Sequence, residues 1–196
     1  GLEGASQLSF DFDPAYETLT INRVRVWRNG QALDRLEPQE LRLFQREADL
    51  EHFLYTGAKT AYLILPDIRV GDVLEYSYTL QGNNPVMNNR YGEKIPLDWE
   101  IPVARNVLRL VLSPNRALYF QAPKKSEPLL KVSDVAGRRE ILWQEDNVPA
   151  VVQDDDTPAW YSPFRYLAIS EYVDWQDVVK WAQPLYEQAS AVDQSV

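Results

Sequence analysis

The sequence predicts a mainly β fold, an antiparallel β-sandwich-like domain with a C-terminal amphipathic helix. Three observations carry this reading. Short apolar or alternating runs recur roughly every 8–15 residues, the spacing of strands in an all-β domain. Turn chemistry separates them, with 13 Pro in the chain and clusters such as Asn29-Gly30, Gly82-Asn83-Asn84-Pro85 and Ser113-Pro114-Asn115. Aromatic residues are abundant, 6 Trp, 11 Tyr and 6 Phe among 196 residues, and such residues fit a pleated, half-buried surface.

The first strand runs from Thr18 to Trp27. Leu19 and Ile21 alternate, then Val24 and Val26 do so in the opposite phase, so a bulge or bend is expected near Asn22-Arg23. Asn29-Gly30 is a strong hairpin signal, because a type I′ turn needs φ > 0 at both central residues. Gln31 to Leu36 returns. Glu40 to Tyr55 reads as a strand to about Glu47 and an irregular turn through Asp49, although Leu43, Phe44, Leu50, Phe53 and Leu54 also form a helical stripe. Thr60 to Leu65 is a continuous apolar run stopped by Pro66, as in a buried strand. After the turn Asp67 to Asp72, the strand from Val73 to Leu80 places Leu74, Tyr76, Tyr78 and Leu80 on one face. Residues 81–101 read as loop. Val103 to Leu112, Leu118 to Gln121, Leu129 to Ser133 and Arg138 to Gln144 complete the strands.

The reading divides the chain into a sandwich over residues 1–148, an extended acidic and aromatic strap over 149–172, and a helical linker over 173–190. The strap mixes acids, Pro and aromatics without periodicity. In the linker, Asp174 is a good N-cap and Asp177 suits the positive end of the helix dipole. Trp175, Val178, Val179, Ala182, Leu185 and Tyr186 fall on one face. Pro184 is expected to kink or restart the helix, since it removes a hydrogen bond to Lys180.

Composition narrows the chemistry. There are no cysteines, so disulfides, thiolate metal sites and thiol nucleophiles are excluded within this chain. The single histidine, His52, stands beside acids and has no glycine-flanked serine to serve, so it reads as a surface residue rather than a catalytic base. Histidine count also excludes a His-rich zinc site. The net charge is −9, and it is uneven: residues 145–196 hold ten acids against Arg165 and Lys180, which reads as a solvated linker. No cluster of Lys and Arg offers phosphates a partner, which argues against nucleic acid and anionic membranes. No apolar run approaches the roughly 20 residues of a membrane helix.

No catalytic, cofactor-binding or metal-binding residues are therefore assigned, and the chain is not expected to be an enzyme by itself. A carboxylate pair for glycoside hydrolysis has no locatable candidate among 29 acids. Asp154-Asp155-Asp156 lacks the spacing of a calcium loop and reads as a solvated turn. Arg69 and Asp72 are read as pairing across, or capping, the Gly71 turn. The candidate interaction residues are Trp160, Tyr161, Phe164, Trp175 and Trp181. The aromatics of the strap can stack on sugar rings, but the favoured reading has them pin the strap to the sandwich.

Several segments in order resemble one family. They are Phe12-Asp13-Pro14-Ala15-Tyr16-Glu17-Thr18-Leu19, Val24-Arg25-Val26-Trp27-Arg28-Asn29-Gly30, Gln45-Arg46-Glu47-Ala48-Asp49-Leu50-Glu51, Leu54-Tyr55-Thr56-Gly57, the run Leu65-Pro66-Asp67-Ile68-Arg69-Val70-Gly71-Asp72-Val73-Leu74-Glu75-Tyr76-Ser77-Tyr78, and Gly82-Asn83-Asn84-Pro85. Together they resemble the DUF3857 family, a domain preceding transglutaminase-like domains in bacterial proteins. Asp174-Trp175 and Val178 to Trp181 are similar to the link that family uses before its enzyme domain.

The resemblance implies an accessory domain of a periplasmic or envelope-associated bacterial protein, its partner being a downstream domain of papain type. None of that enzyme's Cys, His and Asp machinery transfers here. It also implies strands ahead of the Phe12 motif, so an N-terminally shortened sheet with an edge that pairs with a second copy is expected. An independent module binding envelope glycan or peptide is the alternative.

Overall fold

A computed structural model describes residues 6–37, 41–45, 57–121, 130–154, 156–158 and 160–192. His52 and the segments Arg46 to Glu51 and Leu54 to Thr56 lie outside the described residues. The fold is mainly β, with antiparallel sheets and a C-terminal helix. The chain divides into two compact units, Gly1–Asn89 and Arg90–Val196, where the sequence reading drew one sandwich over residues 1–148.

The first unit contains β1 (Gln7–Phe12), β2 (Glu17–Arg28), β3 (Gln31–Asp34), β4 (Arg42–Gln45), β5 (Lys59–Ile64) and β6 (Val73–Gly82). They form two three-stranded sheets, ordered β1-β5-β4 and β3-β2-β6. Leu8, Phe10, Ala61, Leu63 and Leu65 from the first sheet and its margin pack with Val24 from the second. Burying a leucine, valine or phenylalanine of this set is worth roughly 1.5–3 kcal/mol of transfer free energy.

The expected bulge is present, as a register shift between Ile21 and Arg23. It lets Leu19 and Ile21 on one side, and Val24 and Val26 on the other, share the inner face. Asn29 and Gly30 take φ of 51° and 77° and close the β2–β3 hairpin.

The family-like segments of this unit turn out to be its fastenings. Asp13 and Glu17 cap one another's turn: Asp13 N–H donates to Glu17 Oε2 at 2.7 Å, and Ala15 N–H to Asp13 Oδ1 at 2.9 Å. Gly82, paired with Glu17, lies so close that a Cβ would stand 2.0 Å from the Tyr16 carbonyl oxygen.

At the Asp67–Asp72 turn, Arg69 N–H donates to Asp72 Oδ2 at 2.9 Å, the capping role expected of Asp72. The ion pairs differ from the simplest reading. Arg69 pairs with Asp67 at 2.8 Å, whereas Asp72 is held by Arg28, whose Nη2 stands 2.7 Å away. Arg28 lowers the Asp72 carboxyl to about 2.

The second unit contains β7 (Gly92–Pro96), β8 (Val103–Leu112), β9 (Tyr119–Gln121), β10 (Leu130–Val135), β11 (Arg138–Val148), β12 (Tyr166–Ser170) and α1 (Trp175–Val192). Its sheets are ordered β10-β11-β8 and β7-β12-β9. Leu97, Trp143, Leu167 and Ile169 form the buried core, with Ile95, Leu108, Leu110 and Phe120 packed against it.

Three readings are corrected here. The stretch 149–172, expected as an extended strap, contains β12, the central strand of its sheet. Its Leu167 and Ile169 alternate inward, a signal too short to stand out after an acidic, Pro-rich approach. The loop reading of 81–101 misses β7, whose Pro96 is tolerated because β7 is an edge strand. The helix runs unbroken through Pro184; a proline there forfeits one N–H bond, and the position is exposed.

Candidate interaction site

The candidate site is built around the entry of α1 in the second unit. Asp174 caps the helix as expected, accepting a hydrogen bond from Asp177 N–H at 2.9 Å. Asp177 is then drawn to Arg90, with Nη1 to Oδ2 at 2.8 Å, and its carboxyl titrates below the usual range because of that bond. The Arg90 guanidinium carbon also lies 4.7 Å from the centre of the Tyr172 ring, a cation–π contact. Tyr172 in turn meets Trp181 with ring centres 5.7 Å apart. The Arg90–Asp177 ion pair and the Tyr172–Trp181 aromatic pair thus help to hold the first half of the helix.

Beneath it, Glu171 is a half-buried anchor. It accepts from Tyr91 N–H at 2.7 Å and from Arg116 Nε at 2.7 Å, with a further bond from Arg116 Nη2. Arg116 holds the Glu171 carboxyl below the ordinary value, against the opposing push of burial.

Two hollows open beside these residues. A polar one of about 580 Å³ is lined by Arg90, Asn115, Arg116, Glu171, Asp177 and Lys180, among others. An apolar one of about 470 Å³ lies between the edge strand β9 and the helix, with Tyr119, Phe120, Ala168, Tyr172, Trp175 and Val178 in its walls.

The expected apolar stripe of the helix is split. Of its residues Val178 and Ala182 are half-buried, as is Trp181, which lies outside that stripe, while Trp175, Val179 and Tyr186 stand 83%, 57% and 75% exposed. At spacings of 4 and 7 those three share one ridge. Trp175 and Trp181, both expected as interaction residues, therefore play different parts: Trp181 faces its own unit and Trp175 rims the apolar hollow.

The strap aromatics are not brought to this site by any described contact. Trp160 is 85% exposed and meets the exposed Tyr161 edge-on, with ring centres 6.1 Å apart. The expected pinning role fails for this pair, although Phe164 is half-buried.

The strap is fastened by charge instead. Arg165 donates from Nη2 to Asp98 Oδ1 at 2.7 Å and from its backbone N–H to Asp98 Oδ2 at 2.8 Å, and pairs with Glu145 at 3.0 Å. Burial pushes the Asp98 carboxyl up, but the Arg165 hydrogen bonds outweigh it and leave it below the usual range.

The acidic segment is accordingly less of a free linker than its composition implies. Glu145, Asp146, Glu171 and Asp177 are all paired to arginines. Arg90, Arg116, Tyr119 and Tyr172 escaped the sequence reading, since nothing local marks residues that meet across 50 or more positions.

Among the described residues no group of three or more His, Asp or Glu side chains is arranged to hold a metal ion, and no helix is long and apolar enough to cross a membrane.

The fold has a counterpart among solved structures. A crystal structure of a candidate protease from Parabacteroides distasonis ATCC 8503 superposes with a TM-score of 0.74 at 14% identity, over 88% of this chain. This chain spans only 34% of the length of that one. No curated protein matches the sequence. The sequence profile of DUF3857, a domain of unknown function with a solved structure, matches residues 1–152, which ends before β12 and α1. The chain belongs to the DUF3857 family.

Proposed function

We propose that this chain is a non-catalytic interaction domain that docks on, positions or regulates a transglutaminase-like domain of papain type in the same polypeptide, in a bacterial cell envelope. The observation that carries the reading is the exposed ridge of Trp175, Val179 and Tyr186 on a helix whose opposite side is already anchored. Large apolar side chains aligned on one helix face favour a partner surface over water. The fold likeness to a chain about two and a half times as long, itself a candidate protease, supports a place inside a larger protein.

Hydrogen exchange tests it. The backbone amides of 175–192 are followed in this chain and in the longer native polypeptide. Added protection of the helix in the longer protein, lost in a Trp175→Ser/Tyr186→Ser variant, is expected. Identical exchange in both proteins overturns the reading.

The exposed Trp160–Tyr161 pair favours a second reading, an independent module that stacks on envelope glycan. Titration with peptidoglycan fragments that quenches fluorescence in the parent but not in Trp160→Ala is the expected outcome there, and no response removes that reading.

A further inference from the structure

Strand β6 ends the sheet ordered β3-β2-β6. One side pairs with β2 along its whole length, from Val73 opposite Trp27 to Gly82 opposite Glu17. Among the described residues nothing pairs with its other side. In an antiparallel ladder alternate residues turn their N–H and C=O groups away from the partner strand, so β6 presents a row of such groups at the edge.

Long edges are commonly blunted by charges, prolines or bulges. In its ten residues β6 has one charge, Glu75, and no proline, and the bulge of this pair sits in β2. Along the same edge Tyr76, Tyr78 and Leu80 are 48%, 50% and 43% exposed although they share the inner face. Their inner neighbour Phe10 lies 5.9 and 4.9 Å from the two tyrosine rings.

We propose that the free edge of β6 is a self-association surface, which pairs antiparallel with β6 of a second copy about a twofold axis at Ser77. The strand is self-complementary in that register. Leu74 comes opposite Leu80 of the second copy, Tyr76 opposite Tyr78, and Glu75 opposite Thr79, so inner residues meet inner residues. A slip of one residue would set inner positions against outer ones. The two Glu75 carboxylates end up four residues apart along the strands, about 14 Å at 3.4 Å per residue. Gly82, with φ of 152°, stays outside the new ladder.

The interface closes on itself, as an isologous contact does. It is small. Half of two tyrosines and a leucine is roughly 200–300 Å² of apolar surface per copy, well below a standard interface, so the dimer is weak and reversible. A net charge of −9 on each copy opposes it, so added salt strengthens it.

The absence of cysteine makes the register directly testable. A Ser77→Cys variant of the full chain places two thiols opposite each other, with Cα atoms about 4.5–5.5 Å apart, inside the range of a disulfide. Thr79→Cys places them about 14 Å apart. Under mild oxidation Cys at position 77 is expected to cross-link at least tenfold faster than Cys at 79, faster still at high salt. Adding Leu80→Lys to the Ser77→Cys variant is expected to slow cross-linking several-fold. Both positions 77 and 79 are exposed, and an unchanged circular dichroism spectrum verifies folding. Equal cross-linking at 77 and 79, or none at 77 in folded protein, overturns the proposal. Neither result bears on the docking of α1, which is read by helix protection.

Discussion

The two units share a plan and differ in how they close it. Each is a pair of three-stranded antiparallel sheets around a small apolar core. In the first unit, short turns with strong local chemistry align the strands: the Asn29-Gly30 hairpin, the Asp13–Glu17 cap and the Arg28-fastened Asp67–Asp72 turn. In the second, the central strand β12 arrives after the long excursion from Val148 and is seated by the Arg165–Asp98 pair. A fold closed by local turns advertises itself in its sequence. One closed by a distant strand depends on a few long-range contacts, and those are its weak points.

The largest test of that contrast is Trp143→Ala. Trp143 is fully buried at the centre of the second core, and truncating such a ring costs about 3–5 kcal/mol. Hydrogen exchange should show the second unit opening while amides of β2 and β6 keep their protection. Loss of protection in both would show that the units fold together.

Next is Arg165→Ala. It leaves Asp98, with a side chain only 5% exposed, without its cation, and breaking a buried pair in this way costs about 3 kcal/mol. Denaturant unfolding of the second unit should shift by that amount. A shift below about 1 kcal/mol, the worth of a surface pair, would mean that β12 is seated by its apolar residues alone.

Acid should reach the first unit late. The folded Asp72 carboxyl lies at about 2, below its ordinary 3.8, so ionised Asp72 stabilises the folded state. That contribution is fully present above about pH 4 and is lost as pH falls through 2. Acid unfolding of the parent and of Asp72→Asn should therefore converge near pH 2. Curves that stay parallel to that point would remove the Arg28 staple as the cause.

A smaller effect is expected for Asp174→Ala, where loss of the N-cap costs about 1 kcal/mol. Exchange of the first-turn amides of α1 should quicken, with no change in the first unit. The smallest is Trp160→Ala, which as a surface change should alter the melting free energy by no more than about 0.5 kcal/mol. A larger loss would restore the pinning role that the structure assigns to Arg165.

Legibility follows the same division. The phase slip at Asn22-Arg23, the Asn29-Gly30 turn, the alternation of β6 and the Asp174 cap were all readable, because each is a preference spanning a few residues. Strand β1 and strand β7 were not, being short segments whose pairing partners lie far along the chain. Of the candidate site, Trp175 and Trp181 were legible as helix positions, but not which faces water. The acidic balance of residues 145–196 suggested a free linker, while in space much of it is matched by Arg90, Arg105, Arg116 and Arg165.

By itself the sequence determined the class of fold, the family and the absence of thiol chemistry, since these rest on composition, period and local turn geometry. The tertiary structure alone decided that there are two units, that β12 is a central strand, and that Arg165 rather than Trp160 holds the strap. It also decided which half of the helix stripe is left exposed. Burial and ion pairing depend on what distant segments bring alongside, and no local pattern encodes that.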